Sequence, residues 1–188
     1  MKEMLGEEYA AFYASYDLPK YQALRINPLK TERDTFLLQA PFSLNRVPWT
    51  TNGYYYSGND QPGRHPYHEA GVYYIQEPSA MAPAEYLMAE PGERILDLCA
   101  APGGKSSQIA CSMQGEGLIV CNEIHPARAK ILSENIERMG VCNALVTNET
   151  PQKLSDNFRE YFDRILVDAP CSGEGMFRKN EDLGVLYT

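Results

Sequence analysis

The sequence predicts an α/β fold built on a doubly wound parallel sheet, with a smaller α+β region in front of it. Three observations carry this. From residue 94 onward, short runs rich in Ile, Leu and Val alternate with longer amphipathic stretches about every 25 residues, the pattern of strands joined by right-handed helical crossovers. The first run leads into a Gly-rich turn, Ala100-Ala101-Pro102-Gly103-Gly104, at the position where open α/β sheets bind ligands. Ahead of these, residues 50–71 are dense in Gly, Pro, Asn and Tyr, which reads as a long loop or linker.

Along the chain, residues 3–16 read as an amphipathic helix, with Met4, Leu5, Ala11, Phe12 and Tyr16 near helical spacing. Tyr21–Lys30 is a strand-like piece ended by Asn27-Pro28, and Thr31 is the expected N-cap of a helix over Glu32–Gln39. The linker then divides the chain into a front domain, residues 1–70, and a second domain, residues 71–188. In the second, Ser79–Ala89 suits a helix, Arg94–Cys99 a strand and Gly104–Met113 a helix. Leu118–Asn122 is the second strand, and Pro126–Met139 is a helix with proline in its first turn and Gly140 at its end. Ala144–Thr147, Pro151–Tyr161 and Asp163–Asp168 give a third strand, a third helix and a fourth strand.

The composition, 44% apolar and 22% charged, is that of a chain with a buried core. No apolar run approaches the roughly 20 residues a membrane helix needs, and the N-terminus lacks the layout of a signal peptide, so a cytoplasmic protein is expected. Five cysteines are spread widely without a Cys-x-x-Cys pair, and three histidines sit away from zinc-ligand spacing. Neither a disulfide framework nor a metal is expected. The net charge of −8 is uneven: residues 1–70 carry seven Lys/Arg against eight Asp/Glu, whereas the remainder carries ten against seventeen. If nucleic acid binds, the front part repels phosphate least.

The Gly-rich turn belongs to the motif Asp97-Leu-Cys-Ala-Ala-Pro-Gly-Gly-Lys105. A phosphate-binding loop ending at Gly104-Lys105-Ser106 requires glycine at position 99, where Cys99 stands, and a dinucleotide fingerprint requires more glycines than this turn has. S-adenosylmethionine makes different demands: close backbone approach, a carboxylate for the ribose hydroxyls and an adenine pocket. Glu123, at the end of the second strand and 20 residues past Gly103, is the candidate ribose acceptor; its blander reading is a solvated helix cap.

The motifs DLCAAPGGK, NE at the second strand and DAPCSGEGMFRK resemble those of the Nop/Sun family of RNA 5-methylcytosine methyltransferases, most closely its bacterial ribosomal-RNA branch. LRINPLK and YHEAGVYYIQEPSAMAPAEYL resemble segments preceding the methyltransferase core in that family. The resemblance implies a Rossmann-like methyltransferase domain that uses S-adenosyl-L-methionine on ribosomal RNA, of the small subunit. It implies that Cys99, Ala100, Ala101, Pro102, Gly103, Gly104 and Lys105 wrap the cofactor. Glu123 would take the ribose, and Asp168 would lie beside the methionine and target base. An Asp near the adenine in the family falls here on Thr150, with Glu149 beside it.

Asp168-Ala-Pro-Cys171 follows the fourth strand. Methylation at cytosine C5 needs a nucleophile on C6, and a thiolate suits it. Cys171 is therefore a catalytic candidate together with Asp168, whose carboxylate can bond the cytosine amino group; most free cysteines, by contrast, are small buried hydrophobes. In the resembled family the attacking cysteine comes from a later Thr-Cys motif and the earlier one assists release. The sequence ends at Thr188, before that motif and before the sheet is complete. These 188 residues alone are thus expected to lack turnover, and to be marginally stable or to self-associate through an open sheet edge. Transfer-RNA methylation and a non-catalytic binding fragment remain alternatives. Arg25, Lys30, Arg46, Arg64 and His65, interleaved with Tyr54–Tyr56, are candidate RNA contacts, as are Arg178 and Lys179; Gln76 and Ser79 resemble family positions near the cofactor.

Overall fold

The computed structural model describes residues 2–18 and 20–169. Residues 22–169 form one compact unit, and residues 1–21 belong to another.

In the first of these segments, α1 (Lys2–Leu5) and α2 (Tyr9–Ala14) are separated by a 3₁₀ turn at Gly6–Glu8 and followed by another at Ser15–Asp17. The single helix expected over 3–16 is broken because Gly6 takes φ +52°, a left-handed conformation that a right-handed helix cannot continue through. Tyr9 stacks near Tyr13, and Phe12 meets Tyr16 edge to face.

The front sheet is antiparallel, with order β2 (Leu44–Arg46), β3 (Gly53–Tyr56), β1 (Ala23–Ile26), β4 (Tyr73–Ile75). Leu24 sits between Tyr54 and Ile75 in register. With Ile26, Tyr54, Tyr73 and Phe36 of α3 (Arg33–Gln39) it makes the core on one face. The stretch 50–71, expected as a loop, instead supplies β3 and the short α4 (Pro66–Glu69). Its tyrosines alternate as a strand's do, and Tyr54 is buried. Beyond residue 70 the chain stays with this sheet for one more strand, β4. Glu32, not Thr31, caps α3, accepting from the Thr35 amide at 2.7 Å. All four residues of β1 are buried, because its second face, carrying Ala23 and Arg25, is covered as well.

The second sheet is the doubly wound parallel sheet that the sequence predicts. A 3₁₀ turn (Ser79–Met81) and α5 (Ala82–Leu87) lead into β5 (Arg94–Asp97), α6 (Gly104–Met113), β6 (Leu118–Asn122), α7 (Pro126–Met139), β7 (Ala144–Thr147), α8 (Pro151–Asn157) and β8 (Arg164–Leu166). The order is β7-β6-β5-β8, all parallel. Alternate residues face opposite layers. Ile95, Ile119 and Cys121 pack with Ile109, Met113, Leu132 and Ile136 of α6 and α7. Leu96 and Val120 pack with Leu154 of α8 and with Phe158 and Phe162. Burying side chains of this size contributes roughly 1.5–3 kcal/mol each. α8 ends at Asn157 rather than Tyr161 because Phe158 leaves the helical region (φ −122°, ψ 49°) to join that second layer. No helix among the described residues is long and apolar enough to cross a membrane.

The strand order puts a switch point between β5 and β8, opening a crevice at their carboxyl ends. On the flank of the sheet, the front sheet is fastened to α7. Asn27 Nδ2 donates to the carbonyls of Gly71 and Met139, each at 2.8 Å, and Arg138 Nη1 donates to the His68 carbonyl at 2.7 Å. Gly71 (φ +70°) lies so close that a Cβ there would stand 2.1 Å from the Arg138 carbonyl oxygen. Gly71→Ala is therefore expected to cost about 3 kcal/mol, combining left-handed backbone strain with overpacking. Urea unfolding of the variant beside the parent checks it, and a loss below about 1 kcal/mol would contradict the packing described.

Candidate active site

The crevice is built by strand ends. β5 delivers Asp97, β6 delivers Asn122 and then Glu123, and β8 runs on to Asp168. Asp97 is fully buried; Ser106 Oγ donates to its Oδ2 at 2.7 Å, while Oδ1 has no hydrogen-bond partner among the described residues. Burial raises its pKa to about 6, against the opposing pull of the Ser106 hydroxyl and Lys105. Glu123, 3% exposed, has Oε2 at 3.0 Å from Arg128 Nη1, and its Oε1 accepts from the His125 amide at 3.0 Å. A carboxylate has about four lone-pair sites, so Glu123 can still accept further bonds. Asp168 is about half exposed, and its Oδ2 lies 2.6 Å from Lys105 Nζ.

The turn between these acids is fixed from several sides. The Ala100 amide donates to the Asn122 carbonyl and the Gly103 amide to the Ala100 carbonyl, both at 2.8 Å. The Ala101–Pro102 peptide is cis. From α7, Arg128 Nη2 donates to the Ala101 carbonyl at 3.0 Å and Asn135 Nδ2 to the Pro102 carbonyl at 2.8 Å. Gly103 holds φ +107°, and a Cβ on Gly104 would lie 3.2 Å from the Tyr74 ring. The turn then opens α6, whose first amides have no partner within the helix and point toward the crevice mouth. Ala100, Ala101, Gly103 and Gly104 are buried, Cys99 and Lys105 partly so, and Pro102 is exposed. Burial, and then Asp97, push the Cys99 thiol up, so it is held as the neutral thiol rather than a nucleophile.

Asn122 draws the adjoining loops together. Its Nδ2 donates to the carbonyls of Leu98 (3.2 Å) and Glu149 (3.0 Å), and its Oδ1 accepts from the Thr147 hydroxyl (2.9 Å) and the Glu149 amide (3.1 Å). Thr150 is exposed and caps α8, accepting from the Lys153 amide, while Glu149 pairs with Lys153 at 3.0 Å. Among the described residues no cluster of His, Cys, Asp and Glu could hold a metal ion. Asp97 to Lys105, Glu123 and Asp168 thus converge, and Thr150 sits at the adjacent loop. Cys171, Arg178 and Lys179 lie outside the described residues. The contact expected of Arg25 with RNA is overturned: its side chain is 2% exposed and spent on internal acceptors.

Comparison with known proteins gives the family and the fold. The family described as 16S rRNA methyltransferase RsmB/F matches residues 84–188, and the N-terminal domain of 16S rRNA methyltransferase RsmF matches residues 1–78. The chain belongs to this methyltransferase family. "Ribosomal RNA small subunit methyltransferase F" of Erwinia tasmaniensis is 38% identical over 97% of the chain, which spans 40% of that relative's length. Among solved structures, PH0851 superposes with TM-score 0.89 at 26% identity over all of the chain and 43% of its own. A methyltransferase homologue from Pyrococcus horikoshii gives TM-score 0.82 at 31% identity, covering 96% of this chain and 60% of that one.

For an RsmB/F chain, sequence reasoning overlooked Asn122, Arg128 and Asn135, the side chains that shape the turn. One signal was present: a basic residue in the first turn of a helix opposes the helix dipole, and Arg128 occupies that position because it serves Glu123 and Ala101 instead. Arg128→Met is expected to weaken S-adenosylmethionine binding about tenfold, whereas Lys130→Met, at an exposed site on the same helix, leaves it unchanged. Titration calorimetry decides; equal affinities for the two variants would remove Arg128 from the site.

Proposed function

We propose that this chain provides the S-adenosylmethionine site and part of the catalytic site of an RNA cytosine-5 methyltransferase. The RNA is ribosomal RNA of the small subunit, and the protein works in the cytoplasm. The observation that carries the reading is the pair of buried carboxylates, Asp97 and Glu123, on either side of a glycine turn, with one Asp97 oxygen lacking a hydrogen-bond partner among the described residues. A buried anion of this kind is costly until a cation meets it, and S-adenosylmethionine brings both a sulfonium and an ammonium group. Two ribose hydroxyls would find their acceptor in Glu123, and Gly103 with Gly104 would admit the nucleoside close to the backbone. When bound, the cofactor supplies an electrophilic methyl group.

The chain's own groups then have distinct tasks. Asp168 would accept from the cytosine amino group and orient the ring, and Lys105 holds that carboxylate in place at 2.6 Å. Cys171 would serve as the C6 nucleophile or assist release of the adduct. Thr150 and Glu149 would border the adenine. The division into a front RNA-contacting part, residues 1–70, and a cofactor-binding part, residues 71–188, is part of the same proposal. Its exposed Lys30, Arg46 and Arg64 are the RNA contacts. The relative's name, with its small-subunit substrate, favours ribosomal over transfer RNA. Transfer of labelled methyl by the full-length protein to separated RNA pools tests the reading: small-subunit RNA should be labelled at cytosine, and labelling confined to transfer RNA would refute it.

Asp97 adds a pH signature. Its folded pKa of about 6 lies above its ordinary 3.8, so its contribution to stability is present below pH 4 and lost as pH rises through 6. Asp97→Asn should accordingly gain stability relative to the parent at pH 8 and show little difference near pH 4, as urea unfolding at both pH values will reveal. A bound cation favours the carboxylate. Cofactor binding at pH 5.5 should therefore release a proton, seen as a buffer-dependent enthalpy in calorimetry, and the release should vanish in Asp97→Asn.

A further inference from the structure

Arg25 is a buried cation without a buried anion. It rises from β1 of the front sheet, and none of the described carboxylates lies within ion-pairing distance of it. Its Nη1 donates to Gln76 Oε1, to the Gly104 carbonyl at 2.7 Å and to Gln108 Oε1 at 3.4 Å, and its Nη2 donates to Ser107 Oγ at 2.7 Å. The guanidinium also lies 5.6 Å from the centre of the Tyr74 ring. Nε has no partner. Three of the four acceptors belong to the first turn and a half of α6, and the fourth, Gln76, packs against Gly104 itself.

Stability alone does not account for such a residue. Replacing a buried ion by an apolar side chain of similar volume is often neutral or favourable, because desolvation offsets much of what the hydrogen bonds contribute. What an apolar replacement cannot do is set direction. A planar fork with donors aimed at Gly104, Ser107 and Gln108 fixes where α6 begins along its axis and how it is turned. The residue immediately before that beginning is Gly103, the last of the turn. Leu132, Arg128 and Asn135 hold the turn from the α7 side; Arg25, Tyr74 and Gln76 meet it from the front sheet.

We infer that Arg25 is a positioning residue for the Gly-rich turn, through which the front sheet sets the affinity of that turn for S-adenosylmethionine. The inference rests on the methyl-donor reading of the turn given above. It also gives the front sheet a second task besides any contact with RNA: displacement of β1 displaces the start of α6, so the two ligands are coupled through one side chain.

The test compares Arg25→Met and Arg25→Lys with Phe36→Leu in the complete protein. Phe36→Leu loosens the front-sheet core without touching α6. Titration calorimetry with S-adenosylmethionine, at a temperature where every variant is folded, should show about tenfold weaker binding for Arg25→Met. Arg25→Lys should lie between it and the parent, and Phe36→Leu within twofold of the parent. Both Arg25 variants binding within twofold of the parent would overturn the inference, as would Phe36→Leu binding as weakly as they do. Should Arg25→Met fail to fold, Arg25→Lys alone decides by the same criteria. Amide hydrogen exchange without ligand supplies an independent arm. Exchange at Ser107, whose amide donates to the Gly103 carbonyl, should rise in Arg25→Lys while β6 is unaffected, and unchanged exchange there would equally overturn the inference. A parent protein that ignores S-adenosylmethionine would sink the functional reading, whereas the exchange result would still judge Arg25.

Discussion

Two sheets of opposite character are pressed together in this unit, and the seam between them is the constraint on which the site depends. An antiparallel sheet normally leaves one face to water; β1 cannot, because its second face lies on α6 and its end is bound to α7 through Asn27. The closeness of the approach is recorded in glycines. At Gly71 and Gly104, atoms of the opposing layer occupy or border the space a side chain would need. Once the seam is set, α6 and α7 have fixed positions, and the turn they embrace has one shape available to it.

The electrostatics of the crevice follow from topology. Parallel strands ending together bring Asp97, Glu123 and Asp168 to one edge, and like charges gathered there need separate means of support. Asp168 has Lys105 and solvent. Glu123 has Arg128 and a backbone amide. Asp97 has the Ser106 hydroxyl at one oxygen and the more distant charge of Lys105, and burial outweighs both, so its pKa is raised. Support falls off as burial grows, from half-exposed Asp168 to fully buried Asp97, so the demand for positive charge is strongest at Asp97.

Much of this was legible in the sequence, for identifiable reasons. The parallel sheet announces itself because short runs of two or three Ile, Leu and Val, set between amphipathic helical stretches, leave few other folds open. Pro126 and Gly140 bound α7 where the sequence puts them. The Gly-rich turn was legible because glycine and proline have strong backbone preferences independent of context. Long-range partners were not. Arg25 reads as a surface cation, and only the presence of α6 over β1 turns it inward. Asn122, Arg128 and Asn135 look like ordinary polar residues because their acceptors, carbonyls at 98, 101 and 102, are more than twenty residues away in sequence. Residues 50–71 misled in the opposite direction: a tyrosine strand flanked by turn formers has the composition of a loop, and its pairing with β1 is what makes it a strand.

The Arg25 cluster bears on how such a protein can be recombined. Its donor comes from one sheet and its acceptors from the helix of another, so neither half carries a complete interaction. A front sheet exchanged into a different methyltransferase core would arrive with an unsatisfied guanidinium, and a core given a foreign front sheet would lose the grip on α6. Functional chimeras should therefore be those whose crossover keeps Arg25, Tyr74 and Gln76 in the company of Gly104, Ser107 and Gln108. Residues separated by some eighty positions in the chain behave here as one heritable unit.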